Sequence, residues 1–245
     1  MDSASRIRHA IAEVFALRSA AHADPPLRLS VDGVKELQAR RFQGTYAILL
    51  DSLDFGEPSR FFLEELYGVR DFSERDAQFS RIAKSISTIF PASVVNTAVD
   101  IAELHALTER LDHQVATQWI SLEASTTTYT GYIRAWRQVG QRDLRNKQLE
   151  VVLSLGGQLA QLTRKPGLAT LLRMMRRPAA GAGLSSLQYL LERGFTTFGQ
   201  LARKKGKAAE FLAHIQEHEA QWIAAMYDEP LAKQSLALDS LLKIE

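Results

Sequence analysis

Two imidazoles four residues apart on a helix face the same way and can share a metal ion, and a carboxylate between them can shuttle a proton. His214-Ile215-Gln216-Glu217-His218 has those residue types at that spacing. A metal site confined to this helix would add Glu210, one turn before His214. In helical projection Phe211, Ile215, Trp222 and Met226 form an apolar stripe, with His218 inside it and His214 at its edge. A buried imidazole needs a carboxylate, a carbonyl or a metal as partner. A hydrogen-bonded, structural His218 is therefore the plainer reading, and metal binding at Glu210, His214 and His218 is its alternative.

The order H-x-x-E-H also matches the zinc motif of inverted zincin peptidases. Those enzymes take a further ligand much later in the chain, whereas only residues 219–245 follow here. They also contain a sheet, and no alternating apolar/polar stretch with turn chemistry predicts one. Glu103, His105, Glu109 and His113 invite comparison with carboxylate-bridged di-iron bundles, whose ligands follow Glu-x-x-His. Glu109 and His113 are spaced Glu-x-x-x-His and point away from the Leu104/Leu111/Val115 stripe, which predicts a surface i,i+4 pair. There is no G-x-S-x-G elbow, phosphate-binding glycine loop or dinucleotide fingerprint. The chain has no cysteine, so it has no disulfide, thiol nucleophile or thiolate metal site. No cofactor is expected.

Charge is the second signal. The net charge of +2 conceals segregation along the chain. Residues 134–207 carry 15 Lys and Arg against Asp143, Glu150 and Glu192, a balance of +12. Residues 51–76 carry eight acids against Arg60, Arg70 and Arg75, a balance of −5. Helicity continued through Gly140 would place Arg134, Arg137, Gln141 and Arg145 on one face, with Tyr132 nearby and Trp136 turned toward the core. Arg173/Arg176/Arg177 and Arg203/Lys204/Lys205 would extend the basic surface. Three readings stay open: a dispersed, solvated surface; pairing of the acidic segment with the basic block, within the chain or between copies; and capture of nucleic acid or another anion. No helix-turn-helix, zinc-finger or RNA-recognition pattern supports nucleic acid.

The elements that position these residues are helical throughout. Apolar spacing of three to four predicts helices over about 3–22, after Ser30, from Pro58 to Gly68, from Ser73 to Pro91, through Ile101–Leu122, then over 129–139, 141–164, 168–177, 184–193 and 207–227, with a short terminal helix. Asp24-Pro25-Pro26 reads as a stop, Ser125–Thr128 as a break, and Pro178–Gly183 as a loop and a possible sub-boundary. Gly194-Phe195 reads as a left-handed cap. The pair Gly156-Gly157 inside a helix predicts a close crossing or a kink. Arg75 and Asp76 flank Phe79 and Ile82, so either one entering the core edge must be paired. Arg6 and Arg8 before an Ala-rich stretch suggest a signal peptide, but Glu13 and Arg18 interrupt its apolar region. No window is long and apolar enough to span a membrane. A soluble cytoplasmic protein is expected.

The run FFLEELYG (residues 61–68), the Arg70-Asp71 and Arg75-Asp76 pairs after it, and the stretch from Gly183-Leu184 to Phe211-Leu212 resemble an uncharacterised bacterial family of all-helical proteins. The resemblance covers most of the chain. It implies a single helical fold and brings no activity, cofactor or site residue. The sequence thus predicts an all-α protein, one irregular bundle of about nine to eleven helices over residues 1–245. It further predicts a non-catalytic interaction or self-association module using the 134–207 block and the 51–76 segment.

Overall fold

The computed structural model describes residues 1–65, 72–122 and 128–242, and among them every regular element is an α-helix. Among the described residues thirteen helical segments occur, more than the nine to eleven expected, because Ala47–Leu50 separates from the second predicted helix and Arg176–Gly181 is helical where a loop was expected. Residues 125–127 of the expected break and the helix end at Gly68 lie outside the described residues.

Helix α1 (Ser3–Ala23) starts at Asp2, whose side chain accepts from the Ser5 N–H at 2.7 Å. Asp24 ends α1 and caps α2 (Pro25–Thr45). Pro25 and Pro26 therefore open a helix instead of preceding one, since the first turn has no intrahelical use for their missing N–H groups. The corner after α2 holds α3 (Ala47–Leu50) and α4 (Gly56–Glu65); α5 (Ser73–Ile89) ends before Pro91. The 29-residue α6 (Ala92–Ile120) contains neither Gly nor Pro and is about 44 Å long at 1.5 Å per residue.

α6 is the spine. Its first half packs on α1 and α5 through Ile7, Ile11, Val14, Phe79, Val99 and Ala102. Its second half joins α2, α7 (Thr128–Val139), α12 (Lys207–Asp228) and α13 (Leu231–Leu242) around Val34, Trp119, Tyr132, Met226 and Leu238. A third core of Phe42, Phe62, Phe198, Phe211 and Ile215 joins α2 and α4 to α8 (Arg142–Leu162), α11 (Ser185–Arg203) and α12. Between α8 and α11 lie α9 (Leu168–Met174) and α10 (Arg176–Gly181).

Glycines set several of these relations. Gly140 (φ +71°) and Gln141 (φ +57°) are both left-handed, so α7 and α8 meet at a corner and not as one continuous helix. A Cβ on Gly156 would sit 2.5 Å from Leu212 Cδ2, which makes this glycine the expected close crossing, of α8 on α12. Gly194 does not cap a helix: α11 runs through it, and a Cβ there would meet the Phe61 ring at 3.1 Å. Pro178–Gly181 lie inside α10 and not in a loop.

Candidate functional site

Charges enter the interior where the helices converge on α6. Glu109, expected on the surface, is buried and binds two cations: Arg18 from α1 at 2.7 Å and Lys35 from α2 at 2.9 Å. Arg18 also donates to Asp76 on α5 at 2.9 Å, and Asp76 bonds His105 on α6 at 2.9 Å. Arg75 reaches Glu65 on α4 at 2.9 Å, so both residues of the Arg75-Asp76 pair are held inward and partnered. Burial disfavours the charged carboxyl of Asp76, but His105, Arg18 and Arg75 outweigh it and hold the pKa below its ordinary value. Glu109 behaves likewise, with Lys35 and Arg18 overcoming burial. Five helices are thereby locked to one another by charge.

A second cluster lies beside the first. Arg41 on α2 forks onto Glu219 of α12, at 2.5 and 3.0 Å, and the Tyr46 hydroxyl donates to the same carboxylate at 2.8 Å. On α6, Asp112 accepts from Gln38 at 2.9 Å and faces Arg145 at 3.6 Å. Burial pushes the Asp112 pKa up, and Arg145 only partly offsets it. Arg145 Nη1 donates to Gln148 at 3.3 Å, the guanidinium stacks 4.0 Å from the Trp136 ring, and Nη2 is buried without a hydrogen bond.

This polar cluster closes one end of an internal channel of about 350 Å³. α8 lines the channel from its first turn to its last: Arg145 and Gln148, then Leu149, Val152, Leu155, Leu159 and Leu162. From Arg145 to Leu162 that face runs about 25 Å. The α8 face is polar at the Arg145 end and apolar beyond it, while Asp76, Arg75, Glu65, Thr97 and Gln188 from other helices also reach the lining.

The basic block divides. Arg145 is buried, and Arg137 is consumed structurally, donating to the Met226 and Glu229 carbonyls at the end of α12, both at 2.6 Å. The α7–α8 corner takes Arg145 off the α7 face that carries Arg134 and Arg137, and Arg134 is exposed. Lys204 and Lys207 both bind Asp54, and Arg193 binds Glu64 and Glu65, so the acidic segment meets basic residues of its own chain. Arg177 and Lys205 are exposed. Arg173, Arg176 and Arg203, joined by Arg164, line one surface cleft of about 450 Å³ between α9, α10 and α11. Its one carboxylate, Glu192, is engaged by Arg176 at 2.5 Å.

The metal alternative is corrected. Among the described residues no group of three or more His, Asp or Glu side chains could hold a metal ion. Glu210 is exposed and paired with Lys207, while His214 and His218 sit edge-on to Phe55 and Tyr46. The buried face of α12 keeps Phe211, Ile215 and Met226 of the expected stripe, with Glu219 and Ile223 between them, while His218 and Trp222 are half-buried beside it. Sequence reasoning also missed Arg18, Lys35, Arg41, Asp112 and Glu219 as interior charges. One signal was available: Arg18 continues the Ile7–Ile11–Val14 register, and Glu219 the Phe211–Ile215 register, each four residues on.

The chain belongs to the family described as a domain of unknown function (DUF8198), which matches residues 17–232. This agrees with the resemblance to an all-helical family without an assigned activity. No curated protein and no solved structure matches the chain significantly. No helix among the described residues is long and apolar enough to cross a membrane.

Proposed function

We propose that this protein is a non-catalytic docking module of the cytoplasm that receives an acidic segment of a partner protein in the cleft between α9, α10 and α11. One observation carries the reading: Arg164, Arg173, Arg176 and Arg203 converge on one cleft whose only carboxylate is already engaged. Guanidinium groups suit carboxylates because their donors are paired in a plane and always charged. Self-association through the acidic segment is less well supported. Asp54, Glu57, Glu64, Glu65 and Asp76 all pair with cations of their own chain, leaving little to offer a second copy. The absence of cysteine fits a reducing compartment.

The test is fluorescence polarisation with a labelled oligoglutamate peptide and, in parallel, a DNA duplex of similar charge. Arg173→Glu/Arg203→Glu should weaken peptide binding at least tenfold while leaving the melting temperature nearly unchanged. Unchanged peptide binding overturns the reading. Tighter binding to the duplex than to the peptide replaces it with the nucleic-acid reading, and sedimentation that shows concentration-dependent dimers replaces it with self-association.

A further inference from the structure

The internal channel differs from the surface cleft in every relevant property and stands independently of the docking reading. It is long, an apolar face of α8 runs along most of its length, and Arg145, Gln148, Asp112 and Glu109 meet at one end, with further polar groups (Asp76, Arg75, Glu65, Thr97 and Gln188) elsewhere on the lining. Arg145 marks that end from the first turn of α8, with its side chain 5% exposed, while Leu149, Val152, Leu155, Leu159 and Leu162 continue the same helix face. Along α6, Asp112, Glu109 and Thr108 lie near Arg145 and Gln148, with His105 next, and the far part is Ile101, Ala98 and Val94 with Thr97 among them. A volume of about 350 Å³ is enough for one unbranched chain.

Two features indicate an occupant and its polarity. A continuous apolar face of α8, Leu149, Val152, Leu155, Leu159 and Leu162, is turned to the channel, where it would take a hydrocarbon chain out of water. At the polar end Arg145 Nη2 is buried with no acceptor, although buried donors in folded proteins are nearly always bonded. The neighbouring carboxylate does not reach it, since Asp112 approaches Nη1 at 3.6 Å.

We propose that the channel is a binding site for a fatty acid, a single-chain carboxylate whose head is held at Arg145 and whose tail runs beside α8 among Leu149, Val152, Leu155 and Leu159. The guanidinium, braced against Trp136 at 4.0 Å, presents Nη2 to one carboxylate oxygen. Selectivity against a neutral head comes from that charge, and selectivity for length from the apolar wall.

Calorimetric titration of the full chain with hexadecanoate and with hexadecan-1-ol, each below its aggregation concentration, tests the assignment. One equivalent of hexadecanoate should bind, at least tenfold more tightly than the alcohol. Arg145→Met/Asp112→Asn removes both charges of the pair together, so neither is left stranded, and this variant should bind acid and alcohol with equal affinity. A chain-length series on the unaltered protein needs no variant to fold: affinity should rise at least about a hundredfold from octanoate to hexadecanoate, following the buried methylenes. Absence of binding, several equivalents, equal affinity for acid and alcohol, or no dependence on chain length would each overturn the proposal. None of these outcomes bears on peptide binding at the surface cleft.

Discussion

Replacing Glu109 by glutamine keeps the side chain's shape but removes the charge that two cations share. Arg18 and Lys35 lie 2.7 and 2.9 Å from the same carboxylate oxygen, Glu109 is 7% exposed in its side chain, and Arg18 is 15% exposed. Removing one partner of a buried ion pair costs about 3–5 kcal/mol, because the other charge stays in a poorly solvated place. Two facts move the expectation to the lower end: Arg18 keeps Asp76, and Lys35 is 23% exposed and therefore partly hydrated. A loss of about 3 kcal/mol in a chain of this size corresponds to a fall in melting temperature of about 6–12 °C. Glu103→Gln is the matched control. It breaks the pair with Arg6, whose partners are 44% and 45% exposed, and should cost under about 1 kcal/mol. Urea unfolding and differential scanning calorimetry read both variants. In a double-mutant cycle with Lys35→Met, the pair should show a coupling of at least about 1 kcal/mol. If Glu109→Gln melts no lower than Glu103→Gln, or the cycle is additive, the network does not hold the bundle together.

Acid should act on the same groups. Asp76 and Glu109 have folded-state pKa values below their ordinary 3.8 and 4.5, so their stabilisation is complete above about pH 4.5 and is lost as pH falls through the lowered values. Asp112, raised by burial, acts in the opposite sense: its contribution favours folding at low pH and fades as pH rises through its folded value. Melting temperature should therefore fall on acidification from pH 5 to pH 3, and the fall should be shallower in Glu109→Gln. A Cβ on Gly44 would meet the Leu241 carbonyl well inside contact distance, whereas one on Gly157 meets nothing within 4 Å. Gly44→Ala should cost about 1–3 kcal/mol and expose α13 to proteolysis. Gly157→Ala should stabilise by up to about 1 kcal/mol in the same melting assay.

Helix content and most boundaries were legible in the sequence because apolar spacing reports directly on a helix that buries one face. α6, α8 and α12 follow that rule, and Gly156 announced its close crossing. Three readings failed for a shared reason: a local signal has a different use in a packed context. Asp24-Pro25-Pro26 does stop α1, but the start expected after Ser30 was too late: the prolines themselves open α2, since proline is as acceptable in a first turn as beyond a last one. Gly194 provides room for Phe61 inside α11 and does not end it. Charged residues were placed on the surface by type, yet Arg18, Glu109, Arg145 and Glu219 are interior because partners from other helices reach them. No single-helix projection contains those partners. The surface cleft was legible in part: Arg173, Arg176 and Arg203 stood out as a charge excess, but only the folding of α9 and α10 onto α11 brings them and Arg164 together. The internal channel left no trace in the pattern, because the residues that line it are of the same types that fill a solid core.

The interior charges also constrain how this family can diverge. Each balances a counterpart carried by a different helix, so a change at one position is tolerable only alongside a change at another, as between residues 18, 76 and 109 or between 41 and 219. Across related sequences these positions should vary together as linked columns, while the aliphatic positions beside them drift freely among leucine, isoleucine and methionine.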